Sequence, residues 1–217
     1  MRFFTEHGDI TQKPQSLIIA GWTGRDRTAV QHHIDELAVL GVAPPSQVPL
    51  FYRAAHSLLT QSDTIEVVGD NTSGEVEPLI LKNDNTLWLG MGSDHTDRDL
   101  ETVSVAVSKQ ACAKPVANRL WAMTDVNAHL DDIRLSTEIF ENGEWILYQS
   151  GTLTQIRPIP DLIAGADFQD GSVMLCGTLG AQGGVRPAQH YRMALTDPVL
   201  DRQILLEYRV QTLPIIA

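Results

Sequence analysis

The chain has 217 residues, 43% apolar and 20% charged, proportions that supply one sizeable core and predict a single domain spanning 1–217. With 16 Lys and Arg against 27 Asp and Glu the net charge is −11, and no basic run occurs, which argues against nucleic acid or an anionic membrane as partner. Met1-Arg2-Phe3-Phe4-Thr5-Glu6-His7 lacks the apolar stretch of a signal peptide, and no window reaches bilayer-crossing length, so a cytoplasmic location is expected.

Along the chain, Phe3-Phe4 and Leu17-Ile18-Ile19-Ala20 read as short strands in an N-terminal segment, 1–20, joined through a polar turn with Gly8, Asp9 and Pro14. A helix follows: Asp26 caps it, Val30, Ile34 and Leu37 recur at i, i+4 and i+7, and Gly41 stops it before Pro44-Pro45. Strands are predicted at 65–68, 75–81, 86–91, 103–107, 130–138, 145–150, 172–177 and 203–212. Turns are predicted at Asn83-Asp84-Asn85 and Glu141-Asn142-Gly143-Glu144, and a short helix at 158–164 with Leu162 and Ile163 inward. Pro78 has no N–H to give, so its strand is expected at a sheet edge or bulged. Strands outnumber helices and no regular βαβ succession exists, which points to an α+β, strand-dominated mixed fold. Cys112 and Cys176 share no spacing with histidines; a zinc ribbon is excluded, and each is expected to be a small buried side chain.

Three carboxylates stand out. Glu75 and Glu77, at i and i+2 on a strand, project from one face roughly 6.6 Å apart, and Asp94 follows 19 residues after Glu75. An oxygen-only set of this kind suits Mg²⁺ or Mn²⁺ better than zinc, although acids at i and i+2 also arise on any solvated strand face. In His32-His33-Ile34-Asp35-Glu36-Leu37, His33 borders the apolar stripe and neighbours Glu36 at i+3. A carboxylate beside an imidazole fixes its tautomer and raises its basicity, as a water-activating base requires; the alternative is an ordinary i,i+3 surface pair.

Taken in order, these pieces resemble the C-terminal catalytic domain of the fumarylacetoacetate hydrolase superfamily, over about 21–214. His33-Ile34-Asp35-Glu36 resembles its His-x-x-Glu helix and Glu75-Val76-Glu77 its metal motif. Asp94-His95-Thr96-Asp97-Arg98-Asp99 resembles the segment of the third metal carboxylate. Lys109 precedes a Pro-containing loop at Lys114-Pro115, Gln149-Ser150-Gly151 resembles a Gln-x-Gly strand end, and Gly171-Ser172-Val173-Met174-Leu175-Cys176-Gly177-Thr178 the strand that lines the site. Within that superfamily the chain resembles a bacterial branch of unknown function. Departures are the short Glu75–Asp94 interval, the short step from Lys109 to Pro115, and a glycine-rich Gly180-Ala181-Gln182-Gly183-Gly184 loop where the family has proline.

The resemblance implies a mixed β-roll or sandwich with few short helices, and a divalent-metal-dependent hydrolase or lyase acting on a C–C bond of a small 2-oxo acid or 1,3-dicarbonyl compound through an enolate. Glu75, Glu77 and Asp94 would hold Mg²⁺ or Mn²⁺. His33, oriented by Glu36, would be the base, and Lys109 would balance developing negative charge. Gly177, Thr178 and the glycine-rich loop would bind the substrate carboxylate. Arg98 is a substrate-side candidate, although it and Asp99 are expected rather to orient Asp94 or bind each other. His95 is expected to face away from Asp94. A homodimer is implied. The alternative is a non-catalytic small-molecule or metal-binding protein that keeps the fold; a Mg²⁺-dependent phosphohydrolase is disfavoured because no phosphate loop or basic cluster adjoins the acids.

Overall fold

The computed structural model describes residues 1–39 and 44–216, except that the side chains of His33, Glu36 and Leu37 fall outside the described set. The chain opens with a hairpin, β1 (Arg2–Thr5) and β2 (Gly8–Thr11), then β3 (Ser16–Gly21), helix α1 (Arg27–Val39) and β4 (Leu50–Ala54). Short β5 (Leu59–Thr60), β6 (Thr64–Val68) and short β7 (Thr72–Ser73) lead to the long hairpin of β8 (Val76–Asn83) and β9 (Thr86–Ser93). After β10 (Thr96–Asp97) come α2 (Arg98–Glu101), α3 (Val105–Ala111), β11 (Lys114–Pro115), β12 (Trp121–Ala122) and α4 (Met123–Val126). A second hairpin, β13 (Arg134–Glu141) and β14 (Glu144–Thr152), precedes α5 (Ile159–Gly165), β15 (Ser172–Leu175), β16 (His190–Asp197) and β17 (Arg202–Leu213).

Two large sheets, one of six strands in the order β12-β9-β8-β15-β3-β4 and one of five in the order β14-β13-β16-β17-β6, are accompanied by three two-stranded ones, β1-β2, β10-β7 and β11-β5. Their inner faces share the larger core, which brings Ile18, Ile80, Met91 and Met174 of the first against Leu135, Tyr191, Leu195, Ile204 and Tyr208 of the second. The other face of the six-stranded sheet carries a smaller core of Leu17, Ile19, Leu79, Leu81, Val173 and Leu175, closed by Phe3, Leu59, Val116 and Leu120. Being covered on both faces, β3, β8 and β15 are runs of consecutive buried residues, whereas β13, β16 and β17 alternate buried and exposed positions. Strands dominate, the helices are few and short, and the mixed α+β sandwich expected from the sequence is the fold observed.

The helix start at Asp26 is as expected: its carboxylate accepts from the Thr28 and Ala29 amides at 2.9 and 3.2 Å. The expected stop at Gly41 lies outside the described residues. Both hairpin turns form, with positive φ at Asp84, Asn85, Asn142 and Gly143.

Two expectations are corrected. Residues 103–107 are not a strand: Ser104 Oγ accepts from the Val107 amide at 3.4 Å and caps α3, which leaves Val103 and Val107 exposed. Pro78 lies neither at an edge nor in a bulge but in β8, between β9 and β15. Its carbonyl accepts from the Cys176 amide at 3.0 Å. In a strand the N–H and C=O of one residue point the same way, so the missing donor faces the side where the β15 pairing has ended at Leu175. Strands β4 and β16 were not anticipated, and the strand expected at 130–138 begins at Arg134, after a 3₁₀ turn at Asn127–Asp132.

Candidate active site

One face of β8 runs from Leu81 and Leu79, in the smaller core, to Glu77, which is 3% exposed. The strand thus carries its apolar stripe straight into a buried carboxylate. Opposite Glu77 on β9 stands Gly92, where a Cβ would come within 2.9 Å of Leu175 and 3.1 Å of Val116. Glu77 Oε2 accepts from the Gly177 amide at 2.8 Å. Gly177 has φ +96°, and a Cβ there would fall 1.7 Å from Thr23 Oγ1, so both its conformation and its space require glycine. Burial raises the Glu77 carboxyl well above the usual carboxylate range, and the charge of Asp94 pushes the same way against the opposing pull of Lys109 and the Gly177 amide.

Asp94 follows β9 and is fully buried. Its amide donates to the Glu75 carbonyl at 3.0 Å, which ties it to the start of β8. Two ammonium groups converge on its carboxylate: Lys109 Nζ donates to Oδ2, and Lys114 Nζ lies 3.1 Å from Oδ1 while donating to the His95 carbonyl. Burial alone would raise the Asp94 pKa, but Lys109 and Lys114 outweigh it and hold the carboxyl below its ordinary range. For Lys109 burial opposes the charge, and Asp94, then Glu77, reverse the outcome and raise it. Lys114 is held below its ordinary value by burial, with Lys109 adding to that effect against Asp94.

Helix α3 delivers Lys109, whose ammonium lies 5.7 Å from the centre of the Tyr52 ring on β4. The same helix is fastened to the end of β4 by Gln110, whose side-chain oxygen accepts from the Ala55 amide at 2.9 Å. Glu75 Oε2 accepts from Arg98 Nη2 at 2.9 Å, and the guanidinium also donates to Glu101 at 2.8 Å and Ser73 Oγ at 2.6 Å. Arg98 therefore clamps Glu75 and pairs with neither Asp94 nor Asp99; Asp99 accepts instead from Asn71 at 2.6 Å.

His95 faces away from Asp94, as alternation implies. Its ring lies in the larger core, with Nε2 2.9 Å from Thr72 Oγ1 and Nδ1 3.0 Å from Tyr208 Oη. Burial, assisted by Lys114 and Arg98, lowers its pKa to about 3, so the ring is neutral.

Gln149, fully buried, knots the site to the second sheet. Its oxygen accepts from the Val76 amide at 3.0 Å and Thr137 Oγ1 at 3.1 Å, and its nitrogen donates to Thr178 Oγ1 at 2.8 Å and the Leu179 carbonyl at 2.7 Å. Thr178 in turn donates to the Val76 carbonyl at 2.8 Å. The glycine-rich loop is pinned by Arg186, which donates to the Gln182 carbonyl at 2.8 Å, pairs with Glu141 at 2.8 Å and stacks on Tyr148.

Glu77, Asp94, Lys109 and Gly177 thus come together, with Glu75 tied to them through its carbonyl, which accepts from the Asp94 amide. His33 and Glu36 lie on α1, but their side chains are outside the described residues. Lys114, Tyr52 and Thr23 were not singled out from the sequence. A lysine fully buried beside Pro115 had one local sign, its place between the apolar segments 111–113 and 115–117.

The donor chemistry of Glu75, Glu77 and Asp94 suits a hard cation, but their arrangement does not hold one. Among the described residues no three Asp, Glu, His or Cys side chains stand where they could share a metal ion. Asp94 is engaged by two lysines, Glu75 by Arg98 and Glu77 by a backbone amide. A cation entering here would meet the Lys109 ammonium.

The fold is that of solved structures of the fumarylacetoacetate hydrolase superfamily. The structure is similar to that of a candidate fumarylpyruvate hydrolase from Burkholderia cenocepacia, with a TM-score of 0.68 at 19% identity over 98% of this chain and 95% of that one. It is also similar to yeast ynq8, a fumarylacetoacetate hydrolase family protein, with a TM-score of 0.67 at 12% identity over 94% and 95% of the two chains. A 2-keto-3-deoxy-D-arabinonate dehydratase complexed with magnesium and 2,5-dioxopentanoate matches with a TM-score of 0.63 at 14% identity, over 93% of this chain and 74% of that one. At such identities the likeness carries the fold alone. No curated protein sequence matches the chain. Residues 20–208 match the family model described as protein of unknown function, DUF2848, and the chain belongs to that family.

Proposed function

We propose that the protein is a hydrolase or lyase that breaks a C–C bond of a small 2-oxo acid or 1,3-dicarbonyl compound through an enolate. The observation that carries this reading is the convergence of Lys109 and Lys114 on buried Asp94, in a site that also holds the buried carboxyl of Glu77. An enolate or tetrahedral oxyanion needs positive charge aimed at its oxygen, and a preorganised ammonium in a site shielded from water supplies far more stabilisation than in bulk solvent. In this reading Glu77, whose proton is favoured by burial, takes up or returns a proton at the reacting carbon or oxygen. His33, oriented by Glu36, is the proposed base for water; the two residues are three apart on α1. The loop 177–184 is the proposed seat of substrate selection. A homodimer of single-domain chains is the assembly that accompanies this reading.

Two alternatives have support. The magnesium in the structure of the dehydratase relative favours a form in which Lys109 withdraws and Glu75, Glu77 and Asp94 take Mg²⁺ or Mn²⁺. The internal partners of Arg98, Gln149 and the Gly177 amide favour a binding protein without turnover. A panel of acylpyruvates, oxaloacetate and related diketo acids, assayed with Mg²⁺, with Mn²⁺ and with a chelator, separates the three. Chelator-resistant turnover that drops at least about 100-fold in His33→Ala supports the reading. Binding across the panel with no turnover retires it.

A further inference from the structure

We propose that the Lys109 ammonium is the resident cation of the carboxylate cradle, standing where the superfamily resemblance puts a divalent metal, so that the protein works without Mg²⁺ or Mn²⁺ at Glu75, Glu77 and Asp94. This inference deepens the enolate reading above and names the source of its positive charge.

Placement comes first. Lys109 Nζ donates to Asp94 Oδ2, so a carboxylate of the expected metal set is already paired with this ammonium. Lys114 holds the other Asp94 oxygen from the far side and is itself spent on the His95 carbonyl. Arg98 takes Glu75. Asp94 and Glu75 are thus paired with the cationic side chains of Lys109, Lys114 and Arg98, and Glu77 is engaged by a backbone amide, all without an ion.

Lys109 is also held there from behind. Ser104 caps α3, Gln110 fastens the helix to the end of β4, and the Tyr52 ring flanks the ammonium. The side chain is 10% exposed, so it has little solvent-facing room into which to retreat. A divalent ion placed among these oxygens would sit at close range from a buried like charge, a repulsion that the low local dielectric leaves nearly unscreened. Functionally, an ammonium offers an enolate oxygen both charge and N–H donors, and no chelator removes it.

The test uses the full chain, stripped of metal and titrated with Mn²⁺, with free Mn²⁺ read by electron paramagnetic resonance and thermal unfolding read in parallel. Wild type is expected to show no saturable site and no Mn²⁺-dependent rise in Tm. Lys109→Met, which keeps the chain length and removes the charge, is expected to bind one Mn²⁺ per chain at least about 100-fold more tightly than wild type, with a Tm that climbs with Mn²⁺. One Mn²⁺ per wild-type chain, lost in Glu77→Gln, overturns the proposal, as does a folded Lys109→Met that takes up none. Should Lys109→Met fail to fold, the wild-type titration decides alone. The enolate reading fails separately: a wild type that rejects Mn²⁺ yet turns over nothing in the oxo-acid panel retires the reaction and leaves Lys109 in its place.

Discussion

Lys114 Nζ stands 3.1 Å from Asp94 Oδ1 with neither side chain exposed to solvent. A buried pair of this kind is not in itself a large source of stability, because both ions give up their hydration. Breaking one half is another matter. Lys114→Met leaves Asp94 with Lys109 alone and is expected to cost about 3 kcal/mol, the lower end for a broken buried pair because one partner remains. Lys114→Met combined with Asp94→Asn should recover only part of that loss, since the buried Lys109 ammonium then loses its carboxylate partner. Urea unfolding of the wild type, the two single variants and the double variant gives the coupling, and additive losses would show that the two groups do not act as a pair.

Much of this architecture was legible in the sequence because local rules and burial agreed. Asp26 capped its helix, the two turns with positive φ closed their hairpins, and the apolar runs 79–81 and 173–175 became strands covered on both faces. What misled were cases in which a local rule competed with context. Val103 and Val107 suggested a strand, but Ser104 supplied a cap and both valines remained outside. Strand β16 carried period two in Tyr191, Met193 and Leu195, a signal interrupted by the charged and polar residues of its outer face. At the site, Glu77, Asp94 and Lys109 were recognisable by order along the chain. That Lys109 reaches Asp94 depends on how α3 docks on β4, a tertiary fact with no counterpart in spacing.

His95 offers a pH signature separable from the site chemistry. Its ring is clasped neutral between Thr72 and Tyr208, with a pKa of about 3 against the ordinary 6.5. The unfolded chain therefore takes up a proton near pH 6.5 that the native state refuses until about pH 3. The contribution of His95 is present in full above pH 6.5 and declines as pH falls through that window, at about 1.4 kcal/mol per pH unit. Between pH 6.5 and 5 the wild type should lose roughly 2 kcal/mol more than His95→Gln, measured by urea unfolding at several pH values. Parallel curves for the two proteins would mean that the ring is protonated in the native state.

Gly177 is expected to tolerate no side chain. A Cβ there meets Thr23 Oγ1 at 1.7 Å and Thr23 Cβ at 2.9 Å, and φ is +96°. Gly177→Ala should therefore destabilise by at least about 2 kcal/mol, part steric and part conformational. Adding Thr23→Gly removes the steric part and should restore some stability, leaving roughly the 1–2 kcal/mol of the positive φ. Equal losses in the single and double variants would show that the close approach of Thr23 is not the cause.

Glu77 links stability to chemistry. Burial and the neighbouring Asp94 raise its carboxyl well above the usual range, so the native state holds a proton that the unfolded chain has already released. Its stabilising contribution is then complete below the unfolded value near 4.5 and is lost as pH rises towards the raised native value. Glu77→Gln, whose amide oxygen can still accept from the Gly177 amide, removes this titration without emptying the space. The stability difference between wild type and Glu77→Gln should therefore shift in favour of the variant as pH rises from 5 to 8, while turnover of a responsive oxo acid falls by at least about 100-fold through kcat more than through KM. Thermal unfolding across that pH range, paired with steady-state kinetics, reads both effects. A variant that keeps full kcat would take Glu77 out of the reaction, and a pH-independent stability difference would show that its carboxyl is not held protonated by burial.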